Sequence, residues 1–278
     1  MILTVDMMGG LGNQLFMIAT AYAHAKEYGC ELVFADTWDH KAGREPIWST
    51  YFKDRLASLP WNTIPRLLHS AIGWHHLHES GFLYNPITVP KVPFSMLHGY
   101  FQSSKYFGAY QSDIRSILQI HDDHLTKAKA NLALAGIENP DGWIVAHVRR
   151  GDYLEAANYH SVTNAKFFND ARAVIGAKIR PRTVCWVSED IKWVYENVFQ
   201  QGDVVVSSDF MTDFATISLF RHVIMSNSSY SWWATWLNPC SYDSRVICCP
   251  DKWFGPSGPQ DVETIFEPEW IRIETTSG

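Results

Sequence analysis

Two adjacent arginines, Arg149 and Arg150, are the residues of this chain whose types and spacing most clearly predict chemistry. A guanidinium group presents a planar fork of donors that fits a phosphate in a bidentate manner, and it stays charged at any working pH. Two in succession, beside His147 and Asp152, indicate a site for a ligand that carries a diphosphate. The alternative for an arbitrary Arg-Arg pair is an exposed ion pair with a neighbouring aspartate.

The elements predicted around the arginines favour a ligand site over an exposed ion pair. An apolar run at residues 143–146 is typical of a buried strand, so the pair follows the end of a parallel strand, the edge where open α/β sheets bind ligands. A second polar segment, Asn227-Ser228-Ser229-Tyr230-Ser231, lies between an apolar strand and a Trp-rich helix. Serine hydroxyls and N–H groups at a helix N-terminus form an anion site, although serine there also acts as a simple N-cap.

The whole chain alternates apolar strand patterns with helical ones, which predicts an α/β fold. In the first half we predict strands at 2–7 and 31–36, helices at 13–28 and 112–135, a short strand within 98–107, and irregular structure from 40 to 95. In the second half we predict strands at 143–148, 183–187, 204–206, 223–226 and 246–249, and we expect the last of them to close the sheet. We predict helices at 164–175, from 191, at 213–220 and after 231. The tryptophans of the last helix, Trp232, Trp233 and Trp236, are interpreted as core residues.

Chain length and a turn signal predict two domains. A chain of 278 residues exceeds the usual size of one domain, and Asn139-Pro140-Asp141-Gly142 is typical of a break between elements. We therefore predict domains over residues 1–139 and 140–278, and leave open that the last residues pack back on the first domain.

Composition excludes several classes of protein. Hydrophobic residues make up 46% and charged residues 19%, which is typical of a globular chain. A net charge of −6 argues against a nucleic-acid partner, because phosphate neutralisation needs a basic face. The five cysteines show no metal or redox spacing, and the chain has neither a signal-peptide pattern nor a membrane-span pattern. We expect a soluble, unprocessed protein in the reducing cytoplasm.

The glycine-rich segment after the first strand matches a dinucleotide-binding motif only in part. Gly9-Gly10-Leu11-Gly12-Asn13-Gln14, with Asp36 after the second strand, imitates a dinucleotide fingerprint, but Leu15 occupies the third glycine position. The amides of Asn13 and Gln14 suit recognition of hydroxyl groups. The nearby histidines, residues 75, 76 and 78, are interpreted as part of a surface loop, and we predict no metal site.

Five segments in order resemble the α-1,2-fucosyltransferases of glycosyltransferase family 11. They are Met8-Gly9-Gly10-Leu11-Gly12-Asn13-Gln14-Leu15-Phe16, Gly99-Tyr100-Phe101-Gln102-Ser103-Ser104-Lys105-Tyr106-Phe107, His147-Val148-Arg149-Arg150-Gly151-Asp152-Tyr153, Ser188-Glu189-Asp190-Ile191-Lys192-Trp193, and residues 226–233. The resemblance covers nearly the whole chain. It implies a GT-B-like fold, in which two Rossmann-like domains face each other across a cleft. The first is then the acceptor-side domain and the second binds GDP-fucose.

The resemblance also implies roles for individual residues. GDP-β-L-fucose is the implied donor, no cofactor or metal is required, and the configuration at the transferred carbon inverts. Arg149 and Arg150 would hold the diphosphate. The polar segment Asn227, Ser228, Ser229 and Tyr230 would lie on its other side, with His147 and Asp213 near the guanine and ribose, and Asn13 and Gln14 would face the acceptor.

The implied reaction transfers L-fucose to the 2-hydroxyl of a terminal galactose in a glycan of the lactose or N-acetyllactosamine type. Arg149 and Arg150 would stabilise the negative charge that develops on the leaving GDP. Asp152 is a candidate for the catalytic base and equally for an ion-pair partner of the arginines; a base from the first domain, or none, are further possibilities. A lipid-linked acceptor, reached by peripheral membrane association, is left open.

Three other activities remain as alternatives. A fucosyltransferase with another acceptor or linkage, including a protein O-fucosyltransferase, would use the same arginine pair. A dinucleotide-dependent oxidoreductase rests on the glycine-rich turn alone. A glycan-binding protein would use some of the 12 tryptophans and leave the arginine pair without a role.

Overall fold

The structure is a computed structural model that describes residues 1–36, 47–180, 183–240 and 242–275. The chain divides into two compact units, Met1–Gln119 with Asp261–Phe266, and Ile120–Gln260 with Glu267–Gly278. Each unit is built around one parallel β-sheet with helices, so the predicted α/β class is confirmed.

The first unit contains a five-stranded parallel sheet in the order β3-β2-β1-β5-β4. Its strands are β1 (Ile2–Val5), β2 (Glu31–Ala35), β3 (Asn62–Ile64), β4 (His75–His78) and β5 (Phe94–His98). Its helices are α1 (Leu11–Tyr28), α2 (Arg66–Ala71) and α3 (Gln111–Ile117). The central strand β1 is the most buried, and the polar strand β4 forms one edge.

The local sequence explains where α1 begins and ends. Gly9 has a φ of 71°, a left-handed conformation that glycine adopts without a steric penalty, and it turns the chain from β1 into the helix. Gly29 has a φ of 64° and closes the other end, where its N–H donates to the carbonyl of Ala25. Most of the helix between them is buried, which fits its content of alanine and other apolar residues.

The second unit contains a six-stranded parallel sheet in the order β11-β10-β9-β6-β7-β8. Its strands are β6 (Ile144–Val148), β7 (Val184–Ser188), β8 (Val204–Val205), β9 (His222–Ile224), β10 (Ile247–Pro250) and β11 (Ile271–Ile273). Its helices are α4 (Asp122–Leu134), α5 (Gly151–Glu155), α6 (Ala165–Gly176), α7 (Ile191–Asn197), α8 (Phe210–Ser218) and α9 (Ser229–Trp236).

The core of the second unit has an aromatic part and a polar part. Trp232, Trp233 and Trp236 are fully buried, which confirms their interpretation as core residues. Asp203, whose side chain is inaccessible, accepts two hydrogen bonds from Arg172 at 2.7 and 2.8 Å. It also accepts from the indole of Trp186 and from two backbone N–H groups. Every oxygen of this buried carboxylate therefore has partners, which is the condition for burying a charge.

Several predicted elements differ from the structure. The region from 40 to 95 is not irregular throughout: it holds β3, α2, β4 and the start of β5, whereas residues 37–46 lie outside the described residues. The predicted strand within 98–107 is wrong, because β5 ends at His98. The predicted helix at 112–135 is two helices, α3 and α4. Strand β10 does not close the second sheet, because β11 pairs with it.

The division into units also differs in detail from the predicted boundary at residues 139 and 140. The chain divides between Gln119 and Ile120, because α4 packs against α8 of the second unit. The segment that returns to the first unit is Asp261–Phe266, whereas the residues after it rejoin the second unit and form β11.

Candidate active site

The arginine pair lies at the carboxyl edge of the second sheet, directly after its inner strand β6. Strand β7 flanks β6 on one side and β9 on the other. The Ser188 hydroxyl donates to the carbonyl of Val148 at 3.1 Å, which joins the ends of β7 and β6. The Ser226 hydroxyl donates to the carbonyl of His147 at 2.9 Å and accepts the N–H of Arg149 at 3.0 Å. The loops that follow β6, β7 and β9 are thus fastened together at one edge.

Arg149 is held by two carboxylates. Its two terminal nitrogens donate to Asp152 Oδ1 at 2.6 Å and to Glu189 Oε2 at 3.1 Å. Its guanidinium carbon lies 5.5 Å from the ring centre of Tyr153, whose hydroxyl donates to the carbonyl of Asn227. Gly151 leaves room for this arrangement, because a Cβ there would collide with the carboxylate of Glu189. Asp152, one of the candidates for the catalytic base, is therefore an ion-pair partner of Arg149.

Arg150 is held through its Nε and by stacking, so that both of its terminal nitrogens can bind a ligand. Its Nε donates to Asp190 Oδ2 at 3.2 Å, and its guanidinium stacks 4.3 Å from the ring centre of Trp193. Asp190 is fixed in turn as the N-cap of α7, because it accepts the N–H of Trp193. Neither terminal nitrogen of Arg150 has a hydrogen-bond partner among the described residues, so the fork that binds phosphate oxygens is available.

His147 is a buried polar group on the same strand end. The residue is 7% exposed, and its Nδ1 has no hydrogen-bond partner within the described part of the chain. Burial, together with the charge of Arg149, lowers the pKa of His147 to about 3, so the imidazole is neutral at working pH. A neutral imidazole with an unpaired nitrogen can donate to or accept from a polar ligand.

The amino end of α9 lies at this edge because the helix starts directly after β9. Ser228 is the N-cap residue and is buried, and the helix has eight residues. Asn227 donates to the carbonyl of Trp253 at 2.7 Å, while its own Oδ1 is buried without a hydrogen bond to any described residue. The partial positive charge of a helix N-terminus favours an anion at this position.

Tyr230 and Asp213 connect α9 with α8. The Tyr230 hydroxyl donates to the carbonyl of Phe210 at 2.6 Å, and its ring centre lies 5.3 Å from that of His147. Asp213 accepts the N–H of Ser208 at 2.8 Å. Burial, reinforced by the charge of Asp209, raises the pKa of Asp213 to about 7. The structure thus places Tyr230 beside His147 and beside the start of α8, the helix that carries Asp213.

The two amide residues predicted to face the acceptor lie in the first unit. Gln14 is buried, and both ends of its amide are used: Nε2 donates to the carbonyl of Gly9 at 2.8 Å, and Oε1 accepts the N–H of Ile47 at 3.0 Å. Asn13 accepts a hydrogen bond from Gln102 Nε2 at 2.7 Å. The Oε1 of Gln102 is buried without a hydrogen bond to any described residue. Gln14 therefore holds its own loop, whereas Asn13 and Gln102 form an amide pair.

A family model described as Glycosyl transferase family 11 matches residues 69–274 of the chain. The chain belongs to glycosyltransferase family 11. Among relatives, galactoside alpha-(1,2)-fucosyltransferase 2 of Oryctolagus cuniculus is 25% identical, over 99% of this chain and 77% of its own. Two Escherichia coli proteins match over shorter spans. O-antigen biosynthesis glycosyltransferase WbnK is 26% identical over 57% of this chain and 55% of its own length, and alpha-1,2-colitosyltransferase is 27% identical over 63% and 61%.

Solved structures show the fold of this family 11 chain. The fucosyltransferase NodZ from Bradyrhizobium superposes with a TM-score of 0.55 at 14% identity, over 93% of this chain and 96% of that one. The family 9 glycosyl transferase from Veillonella parvula gives a TM-score of 0.52 at 12% identity, over 100% and 87%. At these identities the likeness concerns the fold alone, which is the GT-B type with two Rossmann-like domains.

Two residues that contact the arginine pair were not assigned a role by sequence reasoning. Glu189 and Asp190 each bind one arginine of the pair, and they follow β7 just as the arginines follow β6. The available signal was their position, since an acidic pair after an apolar strand lies at the ligand edge of a parallel sheet. Across residues 1–36, 47–180, 183–240 and 242–275, no helix is long and apolar enough to cross a membrane, and no group of three or more His, Cys, Asp or Glu side chains is arranged so that it could hold a metal ion.

Proposed function

We propose that the chain transfers L-fucose from GDP-β-L-fucose to the 2-hydroxyl of a terminal galactose in a glycan, with inversion of configuration. Its membership of glycosyltransferase family 11 supports glycosyl transfer. The name of the rabbit relative, a galactoside alpha-(1,2)-fucosyltransferase, supports the sugar, the linkage and the acceptor. The acceptor that we propose is of the lactose or N-acetyllactosamine type.

The observation that carries the donor proposal is the open guanidinium fork of Arg150 beside Arg149. When the bond between fucose and phosphate breaks, negative charge develops on the GDP that leaves. Two guanidinium groups fixed by Asp152, Glu189 and Asp190 stabilise that charge without having to reorganise during the reaction. They supply the positive charge that a divalent cation would otherwise provide, so we propose that the reaction needs no metal and no cofactor.

The remaining donor contacts surround the arginines. Asn227, Ser228, Ser229 and the amino end of α9 are proposed to bind the phosphates from the other side. His147, with its unpaired Nδ1, and Asp213 are proposed to contact the guanine and ribose, with Tyr230 between them. Because two of these groups are buried polar atoms without partners, a bound nucleotide would satisfy them.

Inversion follows from attack by the acceptor hydroxyl on the face opposite the leaving GDP, so that the β-linked donor gives an α-linked product. Asp152 is proposed to position Arg149 rather than to take the acceptor proton, because its Oδ1 accepts a hydrogen bond of 2.6 Å from the Arg149 guanidinium. On the acceptor side, Asn13 with Gln102 is proposed to bind hydroxyl groups, and Gln14 to keep their loop in place.

A second candidate differs only in the sugar. The alpha-1,2-colitosyltransferase relative has an identity close to that of the fucosyltransferase, although over a shorter part of the chain, so transfer of colitose with the same linkage is the alternative. A comparison of fucosyl and colitosyl donors under identical conditions distinguishes the two. Cytoplasmic location and peripheral membrane association stay predictions.

The test is release of GDP from GDP-fucose with excess EDTA, with and without lactose or N-acetyllactosamine. We expect acceptor-dependent release that EDTA leaves unchanged, and loss of release in Arg149→Ala and Arg150→Ala. Binding of GDP-fucose without release would preserve the donor assignment and refute the acceptor. Absence of binding would refute GDP-fucose as the donor and favour the colitosyl donor.

A further inference from the structure

The loop that follows β5 in the first unit contains a strained backbone position. Phe101 has a φ of 52°, and among residues 1–36, 47–180, 183–240 and 242–275 it is the single non-glycine residue with a positive φ. A left-handed conformation is unfavourable for a residue with a bulky side chain, so it persists only where the surroundings impose it. One constraint is the packing of the Phe101 side chain, which is fully buried.

Glu79, which directly follows β4, supplies a second constraint on this loop. Its Oε2 accepts the N–H of Tyr100 at 2.8 Å and the N–H of Phe101 at 3.0 Å. Gly99 leaves room for this contact, because a Cβ at that position would collide with the side chain of Glu79. Hydrogen bonds to an ionised group are stronger than those between neutral groups. One carboxylate oxygen therefore fixes two successive N–H groups of the loop.

The Glu79 carboxylate is itself held in place from two sides. The backbone N–H of Glu79 donates to the carbonyl of His98, the last residue of β5, at 2.7 Å. The hydroxyl of Tyr106 donates to the carboxylate and accepts the N–H of Asn85 at 3.3 Å. Burial raises the pKa of Glu79, and the hydrogen bonds from Phe101, Tyr100 and Tyr106 oppose that rise because they favour the ionised form.

The residue that the strained position places is Gln102. Its Nε2 donates to Oδ1 of Asn13 at 2.7 Å, whereas its Oε1 is buried without a hydrogen bond to any described residue. Gln102 is 6% exposed, and a buried polar atom without a partner indicates that a ligand completes its hydrogen bonds. Because Gln102 directly follows Phe101, rotation about φ of Phe101 would move the Gln102 amide away from Asn13.

We propose that Glu79 is a positioning residue for the acceptor: it holds Phe101 in the left-handed conformation and so keeps the amide of Gln102 in place to bind a sugar hydroxyl. This inference rests on the fucosyl transfer and on the acceptor role of Asn13 and Gln102 proposed above. Glu79 contacts no substrate and takes up no proton in this role. A loop that is already in its binding conformation need not be ordered when the sugar binds, which increases the affinity.

The test compares Glu79→Ala and Glu79→Gln with the matched control Glu27→Ala, by rates of GDP release from GDP-fucose at varied N-acetyllactosamine. If the left-handed conformer falls to about one tenth of the population, the KM for N-acetyllactosamine should rise about tenfold, with kcat little changed at saturating acceptor. The amide oxygen of glutamine can accept both N–H groups, so Glu79→Gln should recover most of this loss. Glu27 is exposed near the end of α1 that is remote from Asn13, so Glu27→Ala should keep the wild-type KM.

A double-mutant cycle separates positioning from a general loss of stability. If Glu79 acts through Gln102, Glu79→Ala should raise the KM in the wild-type background and add little to the rise caused by Gln102→Ala. A general loss of stability would act equally in both backgrounds. If Glu79→Ala does not fold, Glu79→Asp replaces it in the cycle, because aspartate keeps the charge but is one methylene too short for the two N–H groups.

The wild-type chain distinguishes failure of this inference from failure of the proposed function. If the wild type transfers fucose, the positioning role is wrong when Glu79→Ala keeps the wild-type KM, when Glu79→Gln loses as much as Glu79→Ala, or when both backgrounds give equal changes. The proposed function stands in each of those cases. If the wild type transfers no fucose to N-acetyllactosamine or lactose, the proposed function fails, and the positioning role fails with it.

Discussion

Replacing Arg150 with alanine tests the donor site directly. The side chain is 15% exposed, is anchored at Nε by Asp190, and has no hydrogen-bond partner among the described residues at either terminal nitrogen. A diphosphate that binds the fork would accept two charge-assisted hydrogen bonds. The alanine variant would lose both and leave Asp190 and the stacking face of Trp193 without their partner.

The magnitude follows from those two bonds. Each hydrogen bond to a charged group contributes about 1.5–3 kcal/mol, and partial exposure favours the lower end, so we expect a loss of about 3 kcal/mol. At about 1.4 kcal/mol for each factor of ten, GDP affinity should fall by roughly 100-fold. Arg150→Lys keeps the charge but loses the planar fork and its stacking on Trp193, so it should recover about tenfold of the loss.

The change in GDP affinity is measured by calorimetric titration with GDP and by competition experiments with guanosine. Guanosine lacks both phosphates, so its affinity should be unchanged in Arg150→Ala. The matched control is Lys192→Ala, which removes a positive charge next to Trp193 from a side chain that is 83% exposed. That control should bind GDP like the wild type. An equal loss for guanosine and GDP, or no loss for GDP, would refute the role of Arg150 in binding the diphosphate.

Three further predictions concern stability and reactivity. Asp203→Asn should lower the free energy of unfolding in urea by about 3 kcal/mol, because it leaves Arg172 buried beside a neutral partner. Asp213→Asn should raise the melting temperature at pH 8 but not at pH 4: the native carboxyl has a pKa of about 7 against an ordinary 3.8, so its ionisation costs stability as pH rises between these values. A thiol reagent should label Cys30 and Cys240 in the native protein, because the other three cysteines are buried.

Each of these predictions has a clear contrary result. Unchanged urea unfolding of Asp203→Asn would mean that the buried ion pair contributes nothing. A melting temperature of Asp213→Asn that differs from wild type equally at pH 4 and pH 8 would exclude ionisation of Asp213 as the cause. Labelling of all five cysteines in the native protein would contradict the burial of the second sheet's thiols.

The parts of the second unit that sequence predicts best have strong local signals. The apolar run before Arg149 identifies β6, and a parallel strand end is a ligand edge, so the position of the arginine pair follows from nearby residues. The roles of individual residues in binding the donor stay predictions. The pairing of those arginines with Glu189 and Asp190 could not be predicted, because it depends on the register of β6 with β7, in which Val148 lies opposite Ser188.

In both units, some strands could not be predicted because their sequences lack the apolar pattern of a buried strand. Strand β4 consists of His75-His76-Leu77-His78, and three of its four residues are exposed, so it lacks the apolar pattern that identifies a buried strand. It forms because β5 offers a parallel edge. Strand β11 is three residues long and, among the described strands, pairs with β10 alone. His76 and His78, interpreted from the sequence as part of a surface loop, lie in strand β4, and Nδ1 of His76 lies 2.6 Å from Nε2 of His98 at the end of β5. That contact could not be predicted, because it depends on the pairing of β4 with β5.

The central claim is transfer of fucose to the 2-hydroxyl of a galactoside by a metal-independent, inverting reaction. NMR analysis of the product formed from GDP-β-L-fucose and N-acetyllactosamine in excess EDTA tests it most directly. We predict a single new α-linked fucose on O2 of galactose, with wild-type yield in EDTA and none from Arg150→Ala. A β-linked product, another linkage position, or a reaction that EDTA abolishes would contradict the account.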